Sequence, residues 1–288
     1  MTVSKWLKKN AATLLGKTVA ISGATGGLGK ALTEHLAALG ADLILLDRNQ
    51  KKSEALEKAL KTAHPTCAVT RIRVDMEDFE SVKRATEALL LSPPDYLILN
   101  AGAYSIPRHK TSLGYDNVFQ INCLSPYYMA RKLHPVITKK GGKIVAVGSI
   151  AHRYSKSDPD DIDFSSRKKA SHVYGNAKRY LTYSLLKTLG SGVCVAHPGI
   201  TFTNITAHYP KVIFAIIKYP MKLIFHSTKK ASLSILAGLF TDTAPNEWIG
   251  PRLFTIWGVP KARRLTSATD EEADRIAQTM DAIYQKLS

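Results

Sequence analysis

The chain has 288 residues, 45% of them hydrophobic, which is enough to bury a large core and excludes a disordered or repetitive sequence. Its 40 Lys and Arg outnumber 23 Asp and Glu, giving a formal net charge of +17 that points to an acidic partner surface or a phosphorylated ligand. No nucleic-acid recognition motif or metal-ligand spacing accompanies the charge, so neither nucleic acid nor a metal is expected.

Residues 1–16 carry Lys5, Lys8 and Lys9 but lack the uninterrupted apolar stretch of a secretory signal. Leu7, Ala11, Leu14 and Leu15 share a helical face, which fits packing on the domain or resting on anionic lipid, with packing preferred. The scattered Cys67, Cys123 and Cys194 suit reduced core positions in a cytoplasmic protein, either free or peripheral at a membrane surface.

Residues 17–22 read as a buried strand that runs into a turn containing Gly23, Thr25, Gly26, Gly27, Leu28 and Gly29, followed by a helix from Lys30. Strand, glycine turn and helix open a nucleotide-binding unit. The glycines let the backbone approach a pyrophosphate, and the helix start offers it free N–H groups. A second strand, residues 42–47, ends in Asp47, placed to accept from an adenosine ribose and to repel a 2′-phosphate. The adjoining Arg48 would do the reverse, and the balance favours NAD(H) within an NAD(P)(H) reading.

A third strand closes on Asp75 and Met76, which fit an adenine contact, and a fourth ends in Asn100, Ala101 and Gly102. Strands alternating with helices predict a single doubly wound, Rossmann-type parallel sheet of about seven strands with helices on both faces. Residues 113–137 read as a long helix interrupted by Pro126. That proline cannot donate to Asn122, which either frees the Asn122 carbonyl to hold a water or simply bends the helix.

The fifth strand ends in Ser149. After a polar loop, Tyr174 and Lys178 stand four apart on one helical face, where an ammonium favours a phenolate. The sixth strand ends in Pro198 and Gly199, with Thr201 and Thr203 just beyond. All these polar residues fall at strand carboxyl ends or on a helix facing that edge.

Taken together, residues 15–260 closely resemble the short-chain dehydrogenase/reductase family. The run from Ser22 to Gly29 is similar to its TGxxxGxG turn, with serine for threonine, and Asn100–Gly102 resembles its NAG element. The resemblance makes Asp75 an adenine contact, Pro198, Gly199 and Thr203 nicotinamide-side elements, and Asn122, Ser149, Tyr174 and Lys178 the catalytic tetrad. In that assignment Tyr174 is the general acid or base and Ser149 steadies the substrate oxygen. Lys178 lowers the Tyr174 pKa and holds the nicotinamide ribose, while Asn122 seats a water.

Ser149 to His152, the loop before Tyr174 and the later apolar-basic segment look like the retinol dehydrogenase-like branch, which implies a small lipophilic substrate. Asp47 departs from that branch, whose members commonly favour NADP. Residues 205–228 are expected to be a substrate lid or a contact with an anionic membrane surface, and too short to span a bilayer. A helix from Ala231, a seventh strand over residues 252–257, a basic turn and a C-terminal helix within 267–288 complete one domain of 1–288. The sequence leaves open whether it is a monomer or a homo-oligomer. A nucleotide-sensing binding protein without chemistry is the rival reading, against which stand Ser149, Tyr174 and Lys178 together.

Overall fold

The computed structural model describes residues 1–199 and 227–288. In chain order its elements begin with α1 (Val3–Asn10), β1 (Thr18–Ser22), α2 (Gly27–Ala38), β2 (Asp42–Asp47), α3 (Gln50–Ala63), β3 (Val69–Arg73), α4 (Phe79–Leu91) and β4 (Tyr96–Leu99). Next come α5 (Asn117–Phe119), α6 (Ser125–Lys139), β5 (Lys143–Val147), α7 (Ala170–Leu189) and β6 (Val193–Ala196). The last are α8 (Thr228–Phe240), β7 (Glu247–Leu253), β8 (Trp257–Arg264) and α9 (Asp270–Leu287).

The described strands form one sheet in the order β3-β2-β1-β4-β5-β6-β7-β8. Strands β1 to β7 are parallel and β8 is antiparallel to β7. Each inner strand buries both faces, with alternate residues entering different cores. From β1, Ala20 joins one core, with Phe79, Leu133, Leu181 and Ile276, while Val19 and Ile21 join the other, with Leu32, Leu36 and Leu236. The chain reverses its winding between β1 and β4, and the crevice outside their carboxyl ends is where ligands bind in such sheets.

Two expectations change. The seventh strand is Glu247–Leu253, not residues 252–257, and the basic stretch expected as a turn is strand β8. Chain reversal falls on Phe254 and Thr255, both at positive φ, and neither residue type signals a turn. At the N-terminus, α1 ends at Asn10, short of the expected helical face. Trp6 and Leu14 enter the core, Leu15 is exposed, and the segment packs on the domain. All three cysteines are free and buried. Among the described residues no helix is long and apolar enough to cross a membrane.

Candidate active site

The glycine turn is shaped by contacts that admit no side chain. Gly23 has φ +67°, and a Cβ on Gly29 would lie 2.2 Å from the Gly23 carbonyl oxygen. Helix α2 opens at Gly26 and Gly27 with no side chain capping its first amides, so its N-terminus presents N–H groups and a partial positive charge to the crevice. A pyrophosphate fits this cradle. Leu28 is buried beneath it. Ser22 and Asn100 frame the cradle rather than line it. The Ser22 hydroxyl accepts from the Asn100 and Ala101 amides, both at 3.0 Å, and the Asn100 side chain donates to the Ser22 and Gly23 carbonyls at 2.9 and 3.0 Å.

Asp47 ends β2 with a side chain committed to the protein. One oxygen accepts from the Thr25 amide and hydroxyl at 3.0 and 2.9 Å, and the other accepts from Ser53 at 3.3 Å. Its carboxylate therefore braces the glycine turn as well as flanking it. The side chain of Arg48 is 68% exposed and stands 3.7 Å from Asp75. Asp75 also accepts from the Glu77 amide at 3.1 Å. The side chain of Met76 enters the core, leaving only backbone for an adenine edge.

Lys178 is 3% exposed, and its ammonium donates to the Val147 carbonyl at 2.9 Å. It lies 5.8 Å from the centre of the Tyr174 ring. The sequence reading has this lysine lowering the phenol's pKa. In the structure burial dominates both groups, pushing Tyr174 up to about 12, against its hydrogen bond with Ser149, and Lys178 down to about 8. The phenol thus keeps its proton at neutral pH, the state a general acid needs.

Asn122 has a firmer role than a freed carbonyl. Its side-chain amide donates to the Ala103 and Val118 carbonyls at 2.8 and 2.9 Å, and its oxygen accepts from the Ala103 amide at 3.2 Å. This clamp fixes the chain after β4 beside Gly102, where a Cβ would come within 2.7 Å of the Asn122 oxygen. The helix does not continue as a kinked α-helix from residue 113. It widens into a π-turn over Gln120–Leu124 and restarts at Ser125, placing Pro126 second in α6, where its missing N–H is tolerated.

Pro198 and Gly199 follow β6, and Gly199 has φ +83°. Thr201 and Thr203, and most of the expected lid, lie outside the described residues. Sequence reasoning missed Tyr104, whose ring meets Tyr174 edge-on at 5.3 Å, and Arg179, buried one residue after Lys178. For Tyr104 the available signal was its place two residues after Gly102.

A family model described as short chain dehydrogenase matches residues 17–208. Human "Retinol dehydrogenase 13" is 30% identical over 207 residues, covering 68% of this chain and 62% of that protein. A solved structure of an uncharacterised protein from Mycobacterium paratuberculosis superposes with a TM-score of 0.72 at 23% identity, covering 96% of this chain and 94% of that one. A short-chain dehydrogenase from Sphingobium yanoikuyae, solved in complex with NADPH, gives 0.55 at 23% identity, covering 72% and 85% respectively. The chain spans less than two thirds of the length of the first curated relatives it matches, from 42% to 62%.

Proposed function

Because the chain belongs to the short chain dehydrogenase family, we propose that its crevice interconverts an alcohol and a carbonyl on a lipophilic substrate, using NAD(P)(H). The observation that carries this reading is a half-buried Tyr174, hydrogen-bonded to Ser149 and neighboured by Lys178, at the edge where the glycine turn opens. The nicotinamide cofactor supplies or accepts the hydride. Tyr174 gives its proton to the substrate oxygen during reduction and takes it back during oxidation. Ser149 donates to that oxygen as negative charge develops on it. Lys178 holds the cofactor ribose and steadies the phenolate left behind, and Asn122 seats a water through its backbone carbonyl. A lipophilic substrate is supported by the Tyr104 ring beside Tyr174 and by relatives named as retinol dehydrogenases.

Activity should be found by mixing the protein with NADH or NADPH and a panel of retinoids, steroids and medium-chain aldehydes. Tyr174→Phe should then cut turnover by about 10³-fold, the usual weight of a positioned acid. Turnover surviving that change would reject the mechanism.

Cofactor choice rests on Asp47. Although its oxygens already accept from Thr25 and Ser53, Asp47 places a carboxylate at the end of β2, which would disfavour a 2′-phosphate there and supports NAD(H). The exposed Arg48 is the opposing group. Asp47→Ala should shift the kcat/KM ratio towards NADPH by about 10-fold, the effect of about 1.4 kcal/mol. An unchanged ratio would pass the choice to Arg48.

A further inference from the structure

Arg179 follows Lys178 on α7 and is 1% exposed, an expensive place for a charge unless its donors are matched. They are matched by four acceptors. Nε donates to Glu272 Oε1 at 2.9 Å and Nη2 to Glu272 Oε2 at 2.7 Å, a fork that holds the start of α9. Nη1 donates to the His152 carbonyl at 2.8 Å, and Nη2 also donates to the Ser267 carbonyl at 2.5 Å. Glu272 Oε1 accepts as well from the Ser157 amide and hydroxyl, at 2.9 and 2.7 Å. Burial pushes the Glu272 carboxyl up, but hydrogen bonds from Arg179 and Ser157 outweigh it and hold the group at about 2.

His152 belongs to the single 3₁₀ turn Ile150–Arg153, which Ser149 itself caps by accepting from the Ala151 amide at 3.2 Å. The turn touches α7 at two places four residues apart. A Cβ on Gly175 would come within 2.4 Å of the Ala151 carbonyl oxygen, and Arg179 holds the next carbonyl, that of His152. A buried ion pair is weak evidence for stability, since apolar residues of similar volume often serve as well. What an apolar replacement cannot do is hold the carbonyl of the serine's own turn.

We propose that Arg179 and Glu272 are positioning residues for Ser149. The guanidinium, braced by the C-terminal helix, sets the serine's turn against the helix that carries Tyr174 and Lys178. The inference rests on the reading given under Proposed function. Lysine at 179 keeps the charge but loses the fork. Arg179→Lys should lower kcat by about 10-fold to 100-fold, the cost of a misplaced reacting group, while the Kd for NADH by fluorescence titration stays within about twofold. Alcohol oxidation should also reach half its maximal rate at a higher pH, because Ser149 no longer supports the Tyr174 phenolate. Glu272→Gln should behave similarly, and the double variant should be no worse than the more damaged single one.

Ser157→Ala is the milder variant should Arg179→Lys fail to fold, and it should give a smaller change in the same direction. Hydrogen exchange of residues 150–157 needs no turnover, and it should quicken in each variant while residues 22–30 keep their protection. Faster exchange with no turnover by the wild type on the substrate panel would reject the proposed function and leave the anchoring in place. Unchanged exchange and pH dependence, with kcat falling only as cofactor affinity falls, would overturn the inference.

Discussion

On one side of the crevice the structure is backbone at close quarters; on the other it is charge under cover. Gly23 and Gly29 bring the first turn together at distances that exclude a methyl group, and Asp47 braces the turn through Thr25. Across from it, Lys178 and Arg179 are both buried on one helix, each held by carbonyls of the chain around Ser149. The first side is stable because of what its residues lack. The second carries groups whose burial works against folding, a cost that the proposed function accounts for by where they put a proton and a hydroxyl.

The comparison is broken most directly by adding one atom group to the first side. Gly29→Ala places a Cβ 2.2 Å from the Gly23 carbonyl oxygen, a backbone atom that cannot swing away as a side-chain tip can. We expect a loss of about 3 kcal/mol or more, with cofactor binding abolished. Thermal unfolding and fluorescence titration would check it, and wild-type behaviour in both would mean that the turn relaxes more freely than its contacts imply.

The same difference decides what could be read from the sequence. The β1–glycine turn–α2 unit, Asp47 and the Asn100–Gly102 corner were legible because their signals are local: period, punctuation and a fixed spacing. The four positions proposed as catalytic were legible through the family resemblance that those local signals support. Glu272 was not. Its sequence context, the acidic start of a helix, is fully accounted for by the helix dipole, and its partner Arg179 lies 93 residues earlier. Nothing local distinguishes a capping carboxylate from one buried against a guanidinium. The effect of burial on Tyr174 was hidden too, because spacing reports which groups are neighbours and not how much water surrounds them.

The second side should respond to substitution with the opposite sign. Burial lowers the Lys178 pKa from 10.5 to about 8, which corresponds to about 3 kcal/mol of destabilisation by the charged form. Below pH 8 the lysine is protonated in both folded and unfolded chains, and the folded state bears that whole cost. Between about 8 and 10.5 the folded protein has released the proton while the unfolded chain still holds it, so this group's contribution to stability rises with pH. Lys178→Met should therefore stabilise the protein at pH 7 by about 2 kcal/mol, after allowing about 1 for the Val147 carbonyl left without its donor. The gain should shrink as pH rises through that window, as denaturant titrations at pH 7 and pH 10 would show. A variant less stable than wild type at both pH values would place Lys178 among the residues that hold the fold.

The smallest effect lies where the second side departs from local rules without burying a charge. Between β7 and β8, Phe254 and Thr255 have φ of +51° and +60°, and the Ile256 amide donates to the Leu253 carbonyl at 2.9 Å. This is a β-turn, within the three-residue connection from Leu253 to Trp257, whose two left-handed central positions asparagine and glycine enter readily and a phenylalanine does not. The Phe254 ring is 80% exposed, so little burial compensates for the strain. A left-handed residue with a Cβ costs about 1–2 kcal/mol, and asparagine recovers part of it. Phe254→Asn should then stabilise the protein by about 1 kcal/mol, raising Tm by about 2 °C for a chain of this size, with turnover unchanged. A fall in Tm would show that the exposed ring makes a contact worth more than the strain. Loss of turnover at unchanged Tm would instead tie the ring to the substrate, and the strain at Phe254 would join Lys178 and Arg179 as a cost carried for function.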